Sequence, residues 1–495
     1  MGIVFRQSIK TIIVIGFGAV LGAIFNYAGA YVLTKQEFGF LTNFIFLAAI
    51  FQIIILMGTN SVLSTYTQKY QPDDVRRKGL ITFSLLLTIL TTTILLIAYF
   101  LLKDNIITHY QAQDRVDMDE YYAWMPALVF VWGITSLFEM LLIVHSKIAV
   151  ISFVREIVLR ICNLAIIALY YYKLITFHQF MVGSIVVYIV PAIIILSIAR
   201  KFKGFGITFN LKVFSKSEYA DLLRFSWYHM LLSITFSFLG YIDIILLAPL
   251  DKSGMESLAA YRWALMIIGI MTIPYRAMRT SSFATLNQTF IDKDYKKLNN
   301  IFHRTGVNVL VVAVSMFLLI GFNLDNIVKI LPEGYETIKP IVLILMLGQL
   351  IDMATGLNTE LISISAYYKF NFRISIVLLV MIVALDRILI PVYGVHGAAW
   401  GSTLSLIVFN IAKMAYVWKK MKVQPFTAKS STIILAGLIT AGVVYLIPSI
   451  SNPYFDSIIK TGVICCIYFF LLIKFKSSND LNTYIQSVLA NKKLF

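Results

Sequence analysis

Residues 80–102 read LITFSLLLTILTTTILLIAYFLL, twenty-three positions without a single charge. An uncharged apolar run of this length crosses a ~30 Å hydrocarbon core as a helix, at 1.5 Å per residue. Lipid offers the backbone no hydrogen-bond partner, so a crossing segment must be a helix or part of a closed barrel. The run is continuous and does not alternate, which selects the helix. The rest of the chain repeats the pattern. Of its 495 residues, 59% are hydrophobic and 14% charged, where soluble domains carry about a quarter charged. Spans are predicted at about 10–33, 40–63, 80–102, 121–145, 150–172, 180–199, 225–249, 258–285, 305–322, 340–366, 373–391, 396–418, 431–448 and 457–474. The first run is too long for a signal-peptide core and reads as a retained span. The expectation is an all-α polytopic membrane protein of about fourteen transmembrane helices.

The connections alternate in charge. Lys69, Arg76, Arg77 and Lys78; Arg200, Lys201, Lys203, Lys212 and Lys216; Lys293, Lys296, Lys297 and Arg304; and Lys419, Lys420, Lys422 and Lys429 fall on one side. Lysines and arginines on that side outnumber those on the other roughly four to one, which makes it cytoplasmic and places both termini there. The same bias accounts for the net charge of +17 without nucleic acid. Cys162, Cys465 and Cys466 fall inside spans, and no Cys/His spacing suggests a metal. No nucleotide-binding motif is present; Gly18 to Gly22 is a packing face of small residues, not a phosphate loop.

Two stretches match in layout at an offset of about 220 residues. Spans one and two are followed by Gln68 to Lys78, and spans seven and eight by Thr289 to Leu298. His145-Ser146-Lys147 before span five has a counterpart in Tyr367-Tyr368-Lys369 before span eleven. Six spans per repeat keep both halves in one orientation, a parallel repeat with the substrate path between two lobes. The predicted organisation is residues 1–200 as an N-terminal six-helix lobe and 201–224 as a cytoplasmic linker. Residues 225–422 form a C-terminal six-helix lobe, and 423–495 an extra helix pair with a cytoplasmic tail. Ser215 to Glu218 reads as a capping box, with Tyr219 to Leu223 a short surface helix behind it.

Several segments carry a family resemblance. They are Phe38-Gly39-Phe40-Leu41 with Met57-Gly58 and Tyr66 to Tyr70; Leu222-Leu223-Arg224-Phe225-Ser226 with Tyr241-Ile242-Asp243; and Val395 to Ser402. Together they resemble the oligosaccharide flippases of bacterial polysaccharide biosynthesis, within the multidrug/oligosaccharidyl-lipid/polysaccharide exporter (MOP) superfamily. The resemblance implies two lobes around a central cavity open alternately to each side, in the bacterial inner membrane. It implies a polyprenyl-diphosphate-linked oligosaccharide moved to the outer leaflet for O-antigen, capsule or exopolysaccharide. Membrane lipids, a polymerase and glycosyltransferases are the implied partners, and the default state is a monomer. A family member commonly has twelve spans; fourteen is a departure.

A diphosphate and its sugars need a wet, cationic path, and arginine suits phosphate by its bidentate fork. A charge at mid-membrane costs about 2.5–3.5 kcal/mol on insertion scales, so each needs a partner or water. Arg160, Arg276, Arg279 and Asn26 are the candidate substrate-binding residues; the competing reading of Arg160 is a local pair with Glu156, and that of Arg276 and Arg279 is snorkelling. Asp352, Glu360, Asp243 and Glu139 are candidates for proton or sodium coupling; Asp352 and Glu360 are eight residues apart, about one face of a continuous helix. Arg262 and Lys413 read as interfacial, Asp386 and Arg387 as structural contacts, Asn163 as an interhelical hydrogen bond. No cofactor is expected. Two other functions remain open: an ion-coupled multidrug antiporter, which needs mainly acidic cavity residues, and a membrane polysaccharide polymerase, for which the loop Lys103 to Glu120 is short.

Overall fold

The computed structural model describes residues 2–145, 147–365, 367–480 and 482–483. Ser146 of the second repeat match and residues 484–495 of the expected tail lie outside them. The described residues are helical or irregular and fall into two compact units, Met1–Ala259 and Ala260–Phe495.

The first unit opens with α1 (Gly2–Val32), then α2 (Lys35–Leu56) and α3 (Thr59–Tyr66). The Thr34 hydroxyl accepts from Glu37 N while Glu37 closes back on Thr34 N, a full capping box that starts α2. Met57 and Gly58 both sit at positive φ (46° and 75°) and split span two into α2 and α3. Next come α4 (Val75–Leu101), the short α5 (Lys103–Thr108) and α6 (Arg115–Glu120), α7 (Trp124–Val144) and α8 (Ile148–Phe153). A π-helical turn, Val154–Val158, joins α8 to α9 (Leu159–Tyr171), followed by α10 (Phe177–Val186), α11 (Ile189–Ala199) and α12 (Lys216–Leu250). Leu63, Leu80, Leu137, Leu142, Ile195 and Leu222 pack in its buried core.

Ser215 caps α12 through Glu218 as the sequence suggests. The helix does not stop at Leu223, however: it runs unbroken for 35 residues into span seven. With no glycine or proline between Lys216 and Gly240, nothing in the backbone ends it.

The motif glycines explain themselves here. A Cβ on Gly39 would run into the Met255 carbonyl, and one on Gly58 into the Ser226 carbonyl. The Ser226 hydroxyl in turn donates to Met57 O (2.5 Å). Residues of the first two segments that carry the resemblance thus meet at close range: Gly58 lies against Ser226 of α12, and Gly39 of α2 against the start of the next helix.

The connection between α4 and α7 is fastened by a buried carboxylate. Asp114 Oδ2 accepts from Met255 N (3.2 Å) at the start of the helix following α12, while Gln111 Nε2 donates to Pro249 O (3.1 Å). Burial pushes the Asp114 carboxyl up to about 6; the Met255 N–H opposes this, and Asp117 and Glu256 add to it. A carboxyl raised in the fold binds its proton more tightly there than in the unfolded chain. This contribution to stability is full below about pH 4 and lost as pH rises through about 6. Wild-type protein is thus expected to gain melting temperature over Asp114→Asn as pH falls from 7.5 to 5. Parallel melting curves of the two proteins across that interval would contradict it.

The second unit takes α13 (Met255–Ile291) from Ala260 onward, then α14 (Tyr295–Gly321), α15 (Leu324–Ile330), α16 (Ile338–Ala354) and α17 (Asn358–Ile364). After them come α18 (Tyr368–Tyr393), α19 (Val395–Met421), α20 (Ala428–Tyr445) and α21 (Pro453–Lys474). Two apolar clusters hold it. One joins Val307, Leu310, Ile433, Ala436, Ile464 and Tyr468 of α14, α20 and α21. The other joins Leu286, Phe302, Leu361 and Val417 of α13, α14, α17 and α19, with Leu357 just before α17.

Among the described residues, ten helices are long and apolar enough to cross a membrane, and eleven if the bent pair α16–α17 counts as one span. The protein is a multi-pass membrane protein of all-helical fold. The expected count of fourteen is not reached on this measure. Helices α1 (31 residues) and α12 (35 residues) lie outside that count, and span five is divided by its π turn.

Candidate functional site

Span ten does not continue through Thr355-Gly356-Leu357. Gly356 takes φ +69°, and α16 and α17 meet at 46°. Polar groups gather where the helix ladder is interrupted. Thr355 Oγ1 donates to Asp352 O (2.9 Å) and to Asn410 Oδ1 (3.3 Å), and Asn358 Nδ2 to Thr355 O (2.8 Å). Tyr275 of α13 donates its hydroxyl to Gly356 O (3.2 Å), satisfying a carbonyl freed by the break. The argument that Asp352 and Glu360 share one continuous helix face is overturned: Asp352 ends α16, and Glu360 lies in the first turn of α17.

The break brings charges from four helices together. Arg279 of α13 grips Glu360 Oε1 through Nε and Nη2, both at 2.5 Å, while its guanidinium lies 5.3 Å from the Tyr275 ring centre. Glu360 is buried and Arg279 about a third exposed. Lys413 of α19 is 3% exposed, donates to Thr359 Oγ1 (2.8 Å) and lies 4.0 Å over the Phe409 ring. It stands in the field of Asp352, Glu360 and Arg279. The interfacial reading of Lys413 is therefore corrected: it packs inward against α17, where the nearby acids compensate the cost of burying an ammonium. Two acids and two bases make the cluster formally neutral.

Arg276 is one turn before Arg279 but points elsewhere. It is exposed and donates to Gly269 O (3.1 Å) and Thr272 Oγ1 (2.9 Å) of its own helix. Among the described residues no carboxylate pairs with it. Thr280, at the next turn, is exposed on the same face.

In the first unit, Arg160 pairs with Glu156 (2.5 Å), four residues earlier, just past the π turn, and also donates to Gly18 O. Gly22 leaves the space that its guanidinium fills. Asn26 Nδ2 donates to Gly22 O (2.8 Å), one turn along the same helix. The small-residue face of α1 is thus the floor on which Arg160 rests. Glu139 of α7 is buried and paired with Arg155 (2.7 Å). Asp243 is half-buried on α12, and Arg262, of α13, belongs to the second unit. Asp386 is buried and fits against Gly401.

Thr359, Asn410 and Tyr275 did not stand out in the sequence. The available signal was the run Thr355-Gly356-Leu357-Asn358-Thr359-Glu360 inside an apolar span. A second buried pair also escaped notice. Lys460 holds Asp456 (2.7 Å) near the start of α21, and Asn326 Nδ2 and Ile450 N complete that carboxylate (2.6 and 2.9 Å).

A family model described as "Polysaccharide biosynthesis protein" matches residues 4–290. No curated protein sequence matches the chain. Among solved structures, the chain is similar to the lipid II flippase MurJ in an inward closed conformation. That likeness has a TM-score of 0.75 at 16% identity, over 94% of this chain and 98% of that one. It is also similar to an inward-facing multidrug resistance MATE family transporter of the MOP superfamily. Here the TM-score is 0.67 at 14% identity, over 83% and 98% of the two chains. A MOP superfamily transporter from Pyrococcus furiosus gives 0.53 at 16% identity, over 84% and 94%. At such identities the likeness is one of fold.

Proposed function

On the premise that the chain belongs to the polysaccharide biosynthesis protein family, we propose that it is a flippase for a polyprenyl-diphosphate-linked oligosaccharide. It carries the headgroup from the cytoplasmic to the outer leaflet of a bacterial inner membrane by alternating access, with both termini cytoplasmic. The observation that carries this reading is Arg276. A guanidinium in the middle of a spanning helix, exposed and uncompensated by any described carboxylate, does not suit a lipid-facing position. With Thr272 and Thr280 it makes a polar stripe fit for a wet path and an anionic cargo.

The neighbouring cluster supplies a way to couple cargo to conformation. In this structure Glu360 holds Arg279. A diphosphate reaching Arg279 competes with Glu360 for the same fork, and Lys413 is the buried cation left to balance the released carboxylate. The pair then acts as a latch on the bend between α16 and α17, because Glu360 belongs to one side of that break and Asp352 to the other. A proton or sodium ion taken by Asp352 or Glu360 would bias the same latch.

Arg276→Ala is expected to reduce surface polysaccharide at least tenfold in cells that depend on this protein, and Arg276→Lys to restore part of it, since charge survives but the fork does not. Membrane-inserted Arg276→Ala protein that supports normal polysaccharide would remove the residue from the cargo path. Export of cationic dyes by the intact protein would favour the antiporter reading.

A further inference from the structure

A cavity of about 580 Å³ opens against the first third of α14, where α20 begins and α21 ends. His303 and Arg304 come to it from α14 and Lys429 from α20, with Asn300, Asn308 and Thr427 beside them. One oxyanion is already in place, and the chain supplies it. The Asp480 carboxylate, just beyond α21, accepts from Arg304 Nε (2.6 and 2.7 Å to its two oxygens) and from Asn308 Nδ2 (2.5 Å). Lys429 Nζ donates to the neighbouring Asn479 Oδ1 (2.5 Å). Arg304 and its hydrogen bond, helped by Asn308 and Lys429, hold the Asp480 carboxyl below the usual carboxylate range, so the group is an anion at neutral pH.

We propose that this cavity is a binding site for a phosphate-class anion, with Asp480 as the chain's own competitor for Arg304. The donor set is that of an oxyanion site: a guanidinium fork, an ammonium, a carboxamide and an imidazole on two adjacent helices. One carboxylate uses a small part of the volume, and two cationic side chains, Arg304 and Lys429, share the cavity with it beside the His303 imidazole. The Arg304 side chain is 65% exposed, so an anion can approach it. The cavity lies where α20 begins and α21 ends, at the ends of two helices long and apolar enough to cross a membrane, a position suited to a lipid phosphate. An anion that takes Arg304 releases Asp480, and with it the hold of α14 on the segment after α21.

The same chemistry can come from an anionic lipid headgroup or from free phosphate, and two arms separate them. Full-length protein in phosphatidylcholine nanodiscs is melted against increasing inorganic phosphate, with chloride at equal ionic strength as control. In the other arm, protein from mixed phosphatidylcholine–phosphatidylglycerol membranes is analysed by native mass spectrometry for retained phosphatidylglycerol. Binding in at least one arm is expected. Lys429→Gln should weaken it about tenfold, one charge-assisted contact, and Asp480→Asn should strengthen it. Lys429→Gln keeps the Arg304–Asp480 pair, so the test survives if Arg304 variants fail to fold. A rise in the phosphate arm alone identifies a soluble anion, and retention in the lipid arm a headgroup. No binding in either arm, or binding that neither substitution changes in folded protein, overturns the site. None of these outcomes depends on the cargo of the transporter.

Discussion

Glu360→Ala protein is expected to lose transport and to fold with a stability lower by on the order of 3 kcal/mol, near the low end for breaking a buried pair. The low end applies because Arg279 keeps about a third of its side chain exposed. Removing Glu360 leaves Arg279 without its 2.5 Å partner and Lys413 with Asp352 as the remaining nearby acid. Three charges then surround the bend with a net positive balance. The double variant Arg279→Met/Glu360→Leu separates the two consequences. Apolar side chains of similar volume recover most of the stability, since a buried ion pair gives little net stabilisation over its hydrophobic replacement. Transport should stay lost, because the fork that competes for the cargo and the carboxylate that holds it are both gone. Melting of the two single variants and the double variant gives the coupling energy directly. A double variant that transports normally would make the pair structural only.

Gly58→Ala is the second large effect. Gly58 has φ +75°, in the left-handed region, which costs an L-residue about 1–2 kcal/mol. Its new Cβ would also meet the Ser226 carbonyl and the Met230 amide, backbone atoms that cannot rotate away. The sum is on the order of 3 kcal/mol or more, enough to cut the yield of monodisperse protein severely. Gly240→Ala is the control. It lies inside α12 with nothing within 4 Å of its added methyl, so the helix should be unchanged or slightly firmer. Equal melting of both variants would mean that the α2–α12 contact is not as close as described.

These two positions show what the sequence disclosed and what it withheld. Gly58 and Ser226 both belong to segments quoted for the family resemblance, and the structure places one against the other. The helices were legible because lipid enforces a single periodicity and a minimum length, so runs such as 80–102 admit one reading. Arg160 beside Glu156 was legible as a local pair, because i to i+4 spacing is a property of the helix itself. Arg279 and Glu360 were each visible as intramembrane charges. Their meeting was not, since 81 residues separate them and the contact depends on a helix break. The same break misled the reading of Asp352 and Glu360 as one face. Lys413 was misjudged for a related reason. Near a helix end a lysine can snorkel, and its inward turn toward Thr359 is decided by packing of α17 against α19, which no single helix reveals. The fourteen-span reading rested on whole hydropathic segments; among the described residues, ten or eleven helices meet the length and composition of a crossing.

The proposed flippase activity requires a cationic path for a polyprenyl-diphosphate sugar that includes Arg276. The most direct test places purified protein in liposomes carrying a fluorescent polyprenyl-diphosphate oligosaccharide, with an impermeant quencher outside. Protein-dependent acceleration of quenching is expected, lost or strongly reduced in Arg276→Ala protein that melts like wild type. Folded wild-type protein that leaves the lipid in its original leaflet, or an Arg276→Ala variant that moves it equally fast, would contradict it.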